Sequence, residues 1–362
     1  MVGWLHHQKW HSLAESFLVA KNPYSFTLQS KVASIQSTEK DESSEGIKER
    51  IEHPTKMIDS FTDRYPATTF AVAAFVVSTV FLILLTLGRK KSEPAHDPST
   101  SAILITGGRR GIGKATADHL LSLGYHVFVT VRKQWQYDEM EAAAKAKGGA
   151  PAPHPVLLDV SNDDHTRFAI IRVEKLLKTL DCKLIAVVNN AGINPEGDSM
   201  SEAYANGGTP ENVLADPSVA TRVLQTNVMG VARVTRAFLR LIPSGGRIVN
   251  IGSYFGSIAG QAGLCHAYYE TSKFALEGFS DNTRRSLRKK GIHVSLVKPG
   301  NISTDMNSFG ESPAIVVARD VEHAVSSKRP KPRYYPGKVK GMPAHFVCWI
   351  FEMLPAFVTD SL

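Results

Sequence analysis

The sequence predicts an α/β protein built on a single domain with a doubly wound parallel sheet, preceded by a transmembrane helix. Three observations carry this. From Ser99 onward, short apolar runs alternate with stretches of helical period, and nearly all-apolar strands separated by helices mean a parallel sheet covered on both faces. Roughly 260 residues of that alternation suit one doubly wound domain. Ahead of it, Ala67–Gly88 is 22 residues without a charge, dense in Phe, Val, Ile and Leu. A helix of that length rises about 33 Å, enough to cross a hydrocarbon core about 30 Å thick.

The zones follow in order. Residues 1–66 are polar and Ser-rich, with mixed charge from Glu39 to Glu52, and read as poorly ordered or loosely helical. Residues 67–88 are the membrane span; they lie too far from Met1 for an ordinary cleaved signal peptide. Residues 89–98 open with Arg89, Lys90 and Lys91 and carry Pro94 and Pro98, the composition of a linker. Three Lys/Arg follow the span within fifteen residues and two, Lys56 and Arg64, precede it, so the positive-inside rule leans towards a cytosolic C-terminal domain. A single-pass protein of the endoplasmic reticulum or another organelle membrane is the expectation. Glu15 is the one carboxylate before Glu39, as in a targeting peptide, whereas the lack of Arg before Arg50 argues against a mitochondrial one. His7, His11 and Glu15 share one helical face, but nothing around them supplies further metal-supporting groups, and an incidental polar face is preferred.

Residues 99–340 are expected to form the α/β domain. Its strands are expected at Ala102–Thr106, His126–Val131, Val156–Val160, Leu184–Asn189, Arg247–Ile251 and His293–Val297, with helical patterns at Gly113–Leu123, Ala220–Leu241 and Ala267–Lys290. Residues 341–362 are an apolar tail, too short and interrupted to span a bilayer. It can wall a hydrophobic pocket, lie on a membrane surface or pack on the core. Arg284, Arg285, Arg288, Lys289 and Lys290 form a basic helix end, explained by the helix C-terminus or by anionic lipid.

Composition excludes other classes. With 43% apolar and 21% charged residues the chain is neither collagen-like nor wholly disordered, and three cysteines without a CxxC pair give neither a zinc ribbon nor a disulfide framework. A net charge of +8 is the sole support for nucleic-acid binding, which is discarded.

The first strand runs into Thr106-Gly-Gly-Arg-Arg-Gly-Ile-Gly113 and then a helix. Glycines 107, 111 and 113 let the backbone turn tightly and approach a pyrophosphate at the helix N-terminus. This Thr-Gly-x-x-x-Gly-Ile-Gly spacing resembles the short-chain dehydrogenase/reductase family, a Rossmann-type fold. Asn189-Asn-Ala-Gly192 is similar to its sheet-stabilising motif, Tyr269-x-x-x-Lys273 to its active site, and Ser253 to its catalytic serine. Asn227 and Pro299-Gly300…Thr304 fall in family order, so the resemblance covers roughly residues 101–310. It implies catalytic roles for Ser253, Tyr269, Lys273 and Asn227, the last supporting a water-linked proton relay. It implies cofactor contacts from Gly107, Arg109, Arg110, Gly111, Ile112, Gly113, Arg132, Asp159, Asn190, Tyr269, Lys273, Pro299 and Thr304, with Asp159 at the adenine edge and Lys273 at the nicotinamide ribose. No metal is implied.

The chemistry also stands on the residues. Tyr269 and Lys273 are i and i+4 on a predicted helix and share a face. A free tyrosine ionises near pH 10, and a neighbouring ammonium is expected to lower that by about 2 to 3 pH units, roughly 3–4 kcal/mol. Tyr269 then exchanges a proton with a carbonyl or alcohol oxygen that Ser253 holds. Tyr268 is the wrong candidate, because Ser272 lies four residues on. Ser253 precedes Tyr269 by sixteen residues, about three more than the family usually has, which leaves Ser257 as the alternative serine. The second strand ends at Arg132-Lys133 with no acid until Asp138, where an NAD site wants a carboxylate. Arg110 adds a cation, and guanidinium groups match a 2′-phosphate. NADP(H) is therefore expected over NAD(H).

The expected function is interconversion of a secondary alcohol and a ketone on a lipophilic molecule, such as a steroid, retinoid or lipid intermediate, at a lipid membrane; a homo-oligomer is compatible with the sequence. The competing class is a nucleotide-sensing membrane scaffold without turnover, for which loss of the serine, tyrosine or lysine would speak; all three are present.

Overall fold

The apolar runs of the sequence become the strands of one sheet. A computed structural model describes residues 95–194, 217–259, 267–304, 307 and 310–354. Within them, β1 (Ser101–Ile105), α1 (Gly111–Ser122), β2 (His126–Val131), α2 (Gln134–Ala146), β3 (His154–Leu157), α3 (Asp163–Thr179) and β4 (Lys183–Asn189) make the first half. The second half is α4 (Pro217–Leu224), α5 (Gly230–Phe238), β5 (Arg247–Ile251), α6 (Ala267–Leu287), β6 (His293–Val297), α7 (Ile315–Ser326), β7 (Arg333–Tyr334) and α8 (Ala344–Met353). The sheet order is β3-β2-β1-β4-β5-β6-β7, with every neighbouring pair parallel. Strand order reverses between β1 and β4, so a crevice opens beyond the C-terminal ends of those strands.

Alternate residues of each strand serve opposite faces. Ile103, Ile105, Val127 and Val129 pack with α1 and α7, while Ala102, Leu104 and Phe128 pack with α3 and α5. At 25 cal/mol per Å², burial of each large aliphatic side chain stabilises the fold by about 1.5–3 kcal/mol. A polar seam crosses this interior: the Asn189 side-chain amide donates to Asn250 Oδ1 at 2.8 Å and Thr235 Oγ1 at 3.1 Å, and Asn250 donates to Ser280 Oγ at 2.9 Å. Buried amides of this kind cost free energy unless partnered, and here they tie β4, β5, α5 and α6 into one register.

Several elements differ from expectation. β3 begins at His154 rather than Val156, because Pro155 pairs with Val129 and Asp159 leaves the strand to receive Ser161 N at 2.9 Å. The helix expected over Ala220–Leu241 is broken by a π-turn at Gln225–Met229. Gly230 follows it, and a Cβ there would lie 2.8 Å from Val160 Cγ2, so close packing on the β3–α3 junction is reserved for glycine. Ala95–Pro98, expected as linker, docks on the catalytic unit: Ala95 N donates to Ser326 O at 2.6 Å and His96 Nε2 bonds Gly245 O at 3.0 Å.

The apolar tail forms α8, whose Ala344 and Val347 pack with Ile258 and Val339, while Phe346, Trp349 and Met353 stay exposed. The expected span, Ala67–Gly88, lies outside the described residues; among the described residues no helix is long and apolar enough to cross a membrane.

Candidate active site

Thr106 ends β1 and is the hinge of the nucleotide-loop region. Its Oγ1 accepts the backbone N–H groups of Asn190 and Ala191 at 2.9 and 3.0 Å. In return the Asn190 side chain donates to the carbonyls of Thr106 and Gly107 at 2.9 and 3.1 Å, so β4 holds the loop from beneath. Gly107 and Gly111 take φ +64° and +54°, a left-handed backbone that strains other residues. At Gly113 a Cβ would lie 2.5 Å from Asn190 Nδ2, so that glycine keeps α1 against the strand. Ile112 packs into the core behind. Arg110, the N-cap of α1, offers no side-chain acceptor to the first-turn amides, which point out of the helix as an anion site does. Thr304 faces the loop, 3.4 Å from where a Gly111 Cβ would be.

Arg109, Arg110, Arg132 and Lys133 are all exposed beyond the ends of β1 and β2. Arg109 stacks over Trp135 at 5.2 Å and reaches Glu139 at 3.5 Å, a surface pair that contributes little. Gln136 Oε1 accepts the N–H groups of Arg132 and Lys133, both at 3.2 Å, fixing the turn that presents them. Asp159 receives Ser161 through N and Oγ; burial pushes its carboxyl up, but those bonds and the charges of Arg132 and His165 outweigh it and leave the acid below its usual range.

The reactive groups meet where β5 and α6 converge. Ser253 follows β5 and caps the turn Tyr254–Gly256, accepting Phe255 N at 3.2 Å. Its hydroxyl faces that of Tyr269. Lys273, one turn along α6, is buried, donates to Ile251 O at 3.1 Å and lies 5.3 Å from the Tyr269 ring centroid. Asn227 sits in the π-turn with its side chain committed at both ends, accepting Ile193 N at 2.8 Å and donating to Ile193 O and Ser272 Oγ. Phe255 stacks on Tyr254 at 4.1 Å and meets Tyr269 edge-on at 6.3 Å, giving the site an aromatic wall. Pro299, after β6, accepts Tyr254 N at 3.0 Å through its carbonyl and so holds the same turn.

Two expectations meet the geometry differently. Ser257 does not face Tyr269; its hydroxyl donates to Glu352 at 2.5 Å and accepts Lys298, so the structure brings Ser253, not Ser257, to the tyrosine. The expected acidification of Tyr269 is corrected. Tyr269 is half-buried as a residue, but its hydroxyl end is surrounded by protein, and burial pushes it up to about 12 against the lowering effect of the Ser253 hydroxyl. Burial likewise lowers Lys273 to about 8. Loss of hydration outweighs the attraction between the two because the ammonium approaches the ring and Ile251 O, while the hydroxyl faces Ser253.

Sequence reasoning did not single out Thr106, Asn250 or Ile193 as supports of the site. The first two leave a signal, a polar residue closing or interrupting an apolar strand; Ile193 acts through its backbone and leaves none.

Comparison with known proteins bears on the family and the fold. Residues 101–313 match the family described as short chain dehydrogenase. Human retinol dehydrogenase 5 is 28% identical over 328 residues, 78% of this chain and 93% of that protein. Bovine mitochondrial D-beta-hydroxybutyrate dehydrogenase is 32% identical over 62% of this chain and 61% of its own length. Rat 17-beta-hydroxysteroid dehydrogenase type 6 is 29% identical over 64% of this chain and 66% of its own. Among solved structures, a Burkholderia cenocepacia short chain dehydrogenase in complex with NADP is 28% identical with a TM-score of 0.53, over 69% of this chain and all of that one. A blue fluorescent protein from a metagenomic library, in complex with NADPH, is 26% identical with a TM-score of 0.51, over 64% and 93%.

Proposed function

Because the chain belongs to the short-chain dehydrogenase family, we propose that it is an NADP(H)-dependent oxidoreductase that interconverts a secondary alcohol and a ketone on a lipophilic molecule. The observation that carries the reading is the Ser253–Tyr269 hydroxyl pair with the Lys273 ammonium behind it, at the crevice where Gly111 faces Thr304. The donor set fits a 2′-phosphorylated dinucleotide: an uncapped helix N-terminus for the pyrophosphate, and four exposed cations with no carboxylate ending β2. Gly107 to Gly113, Asn190 and Thr304 would hold the phosphates and nicotinamide end, with Arg109, Arg110 and Arg132 on the 2′-phosphate and Asp159 beside the adenine. NADP(H), when bound, supplies or accepts the hydride.

The residues of the chain manage the proton. Ser253 positions the reacting oxygen by hydrogen bonding, and Tyr269 donates its phenolic proton to that oxygen during reduction. Burial suits this direction, since a phenol held at about 12 is protonated at neutral pH and an aliphatic alkoxide is the stronger base. Lys273, mostly ammonium at pH 7 with a value of about 8, stabilises the phenolate that remains. Asn227, its amide committed at both ends in the π-turn, would support a water-linked proton relay, as its place in the family order implies; π-turns recur at functional sites.

A lipophilic substrate is supported by the Tyr254–Phe255 wall beside Tyr269 and by relatives named for retinol and hydroxysteroids. Ala67–Gly88 is proposed as a single membrane span of an organelle membrane such as the endoplasmic reticulum, with the catalytic unit on the cytosolic side, on the strength of its 22 uncharged residues. The test is NADPH consumption against a panel of retinoid, steroid and short-chain ketones or aldehydes. Turnover confined to the apolar members is the expected result, and none with any carbonyl would defeat the proposal.

A further inference from the structure

Behind the hydroxyl pair lies a buried cation that the reaction as derived above does not use. Lys298, between β6 and Pro299, is 0% exposed. An unpartnered ammonium at such depth would be strongly unfavourable, so its neighbours report what it is held for. Its Nζ lies 2.5 Å from Glu277 Oε1, donates to Glu352 Oε1 at 3.2 Å and to Ser257 Oγ, and sits 5.5 Å over the Tyr335 ring. An ammonium has three N–H donors, and here three oxygens from three segments face it. Ser257 ends the turn that Ser253 begins. Glu277 is one helical turn beyond Lys273 and two beyond Tyr269, on α6. Glu352 belongs to α8. Ser257 also donates to Glu352 at 2.5 Å, which closes the cluster. Turn and helix are already in contact here, since a Cβ on Gly256 would lie 2.5 Å from Glu277 Oε1.

Resting on the proposed reaction, we infer that Lys298 is a positioning residue: it clamps the Ser253 turn onto the helix that carries Tyr269 and seats α8 against the same turn. Ser253 and Tyr269 bring the two reacting segments together, and their relative placement must hold to about half an ångström for the proton to pass. Glu277 and Lys298 hold the two segments together through Ser257. A charge in this role is favoured over an apolar plug because it specifies one docking geometry through its three partners.

The test uses the full chain with Lys298→Met and Ser257→Ala, reading kcat, KM for the best ketone, NADPH Kd by fluorescence titration, melting temperature, and amide hydrogen exchange over Tyr254–Ser257. Lys298→Met should lower kcat tenfold or more and raise ketone KM a few-fold. Its NADPH Kd should stay within twofold, because the nucleotide loop rests on β1 and β4. Exchange in the turn should quicken. A lowered melting temperature with kcat and KM unchanged would reduce Lys298 to a structural ion pair and overturn the inference. Should Lys298→Met fail to fold, Ser257→Ala decides: it removes the turn's links to Lys298 and Glu352 and should lower kcat three- to fivefold at an unchanged melting temperature, and an unchanged kcat with unchanged exchange overturns the inference. Failure of the wild type to reduce any carbonyl speaks instead against the proposed reaction, while the exchange measurement still tests the clamp.

Discussion

Replacing Lys273 by Met isolates what the buried ammonium costs the fold. Burial lowers Lys273 from its ordinary 10.5 to about 8. Below pH 8 both folded and unfolded chains hold the proton, but the folded one holds it less tightly by about 2.5 pH units, a destabilisation on the order of 3 kcal/mol. As pH rises from 8 to 10.5 the folded state has released its proton while the unfolded chain still binds one, so stability rises with pH in that window. Lys273→Met has no proton to release and lacks this rise. Loss of the bond to Ile251 O returns about 1 kcal/mol of the difference at every pH; the informative quantity is therefore how the gap changes. Urea unfolding of both proteins in the same detergent, followed by tryptophan fluorescence, should show the variant's advantage shrinking by about 2 kcal/mol between pH 7 and pH 9.5. Tyr269, held near 12, contributes its own loss of stability only above pH 10, outside that comparison. A gap that does not change with pH would refute the burial argument, because Lys273 would then keep its ordinary 10.5 in the folded protein. Turnover should be lost in the variant at every pH.

Four further outcomes follow from the same geometry. Ser253→Ala should lower kcat by about 10²–10³, the scale of removing a hydrogen bond to a reacting oxygen, and Ser257→Ala by less than tenfold; the reverse ranking would move the catalytic serine. The kcat for carbonyl reduction should be level from pH 6 to 7.5 and fall as Lys273 loses its proton near 8, whereas a profile flat to pH 10 would remove the ammonium from the mechanism. Arg132→Asp should weaken NADPH binding by roughly ten- to hundredfold and shift preference towards NADH, since a charge-assisted bond to the 2′-phosphate is worth about 1.5–3 kcal/mol; equilibrium titration with both dinucleotides checks it. Deleting residues 1–90 should release a folded, active unit, while deleting 1–98 removes the Ala95 and His96 bonds to Ser326 and Gly245 and should lower the melting temperature; full-length protein should resist carbonate extraction from membranes.

Much of this was legible in the residues. β2, β5 and β6 fall where their runs lie: each opens on a polar residue, His126, Arg247 and His293, and closes on a buried apolar one, Val131, Ile251 and Val297. That Tyr269 and Lys273 share a helix face was legible from their i, i+4 spacing; the expectation that they carry chemistry rested on the nucleotide loop, the serine after β5 and the family resemblance. The choice between Ser253 and Ser257 was not, since it depends on which hydroxyl the Lys298 cluster claims, a contact between positions 41 residues apart. The ionisation of Tyr269 was misjudged for a related reason: spacing shows that two groups share a face, but not that the ammonium meets the ring while the hydroxyl meets Ser253. The π-turn at Asn227 escaped because its residues are ordinary helix formers, and the break is set by packing on Val160 and by the backbone of Ile193.

The most direct measurement of the central claim is transfer of deuterium from nicotinamide-labelled NADPH to an apolar ketone, read by mass spectrometry of the alcohol, in wild type and Tyr269→Phe. Wild type should place one label on the carbinol carbon, while Tyr269→Phe should bind NADPH with the same Kd and yield less than about a hundredth of the labelled product. Labelled product at a comparable rate from Tyr269→Phe would contradict the account.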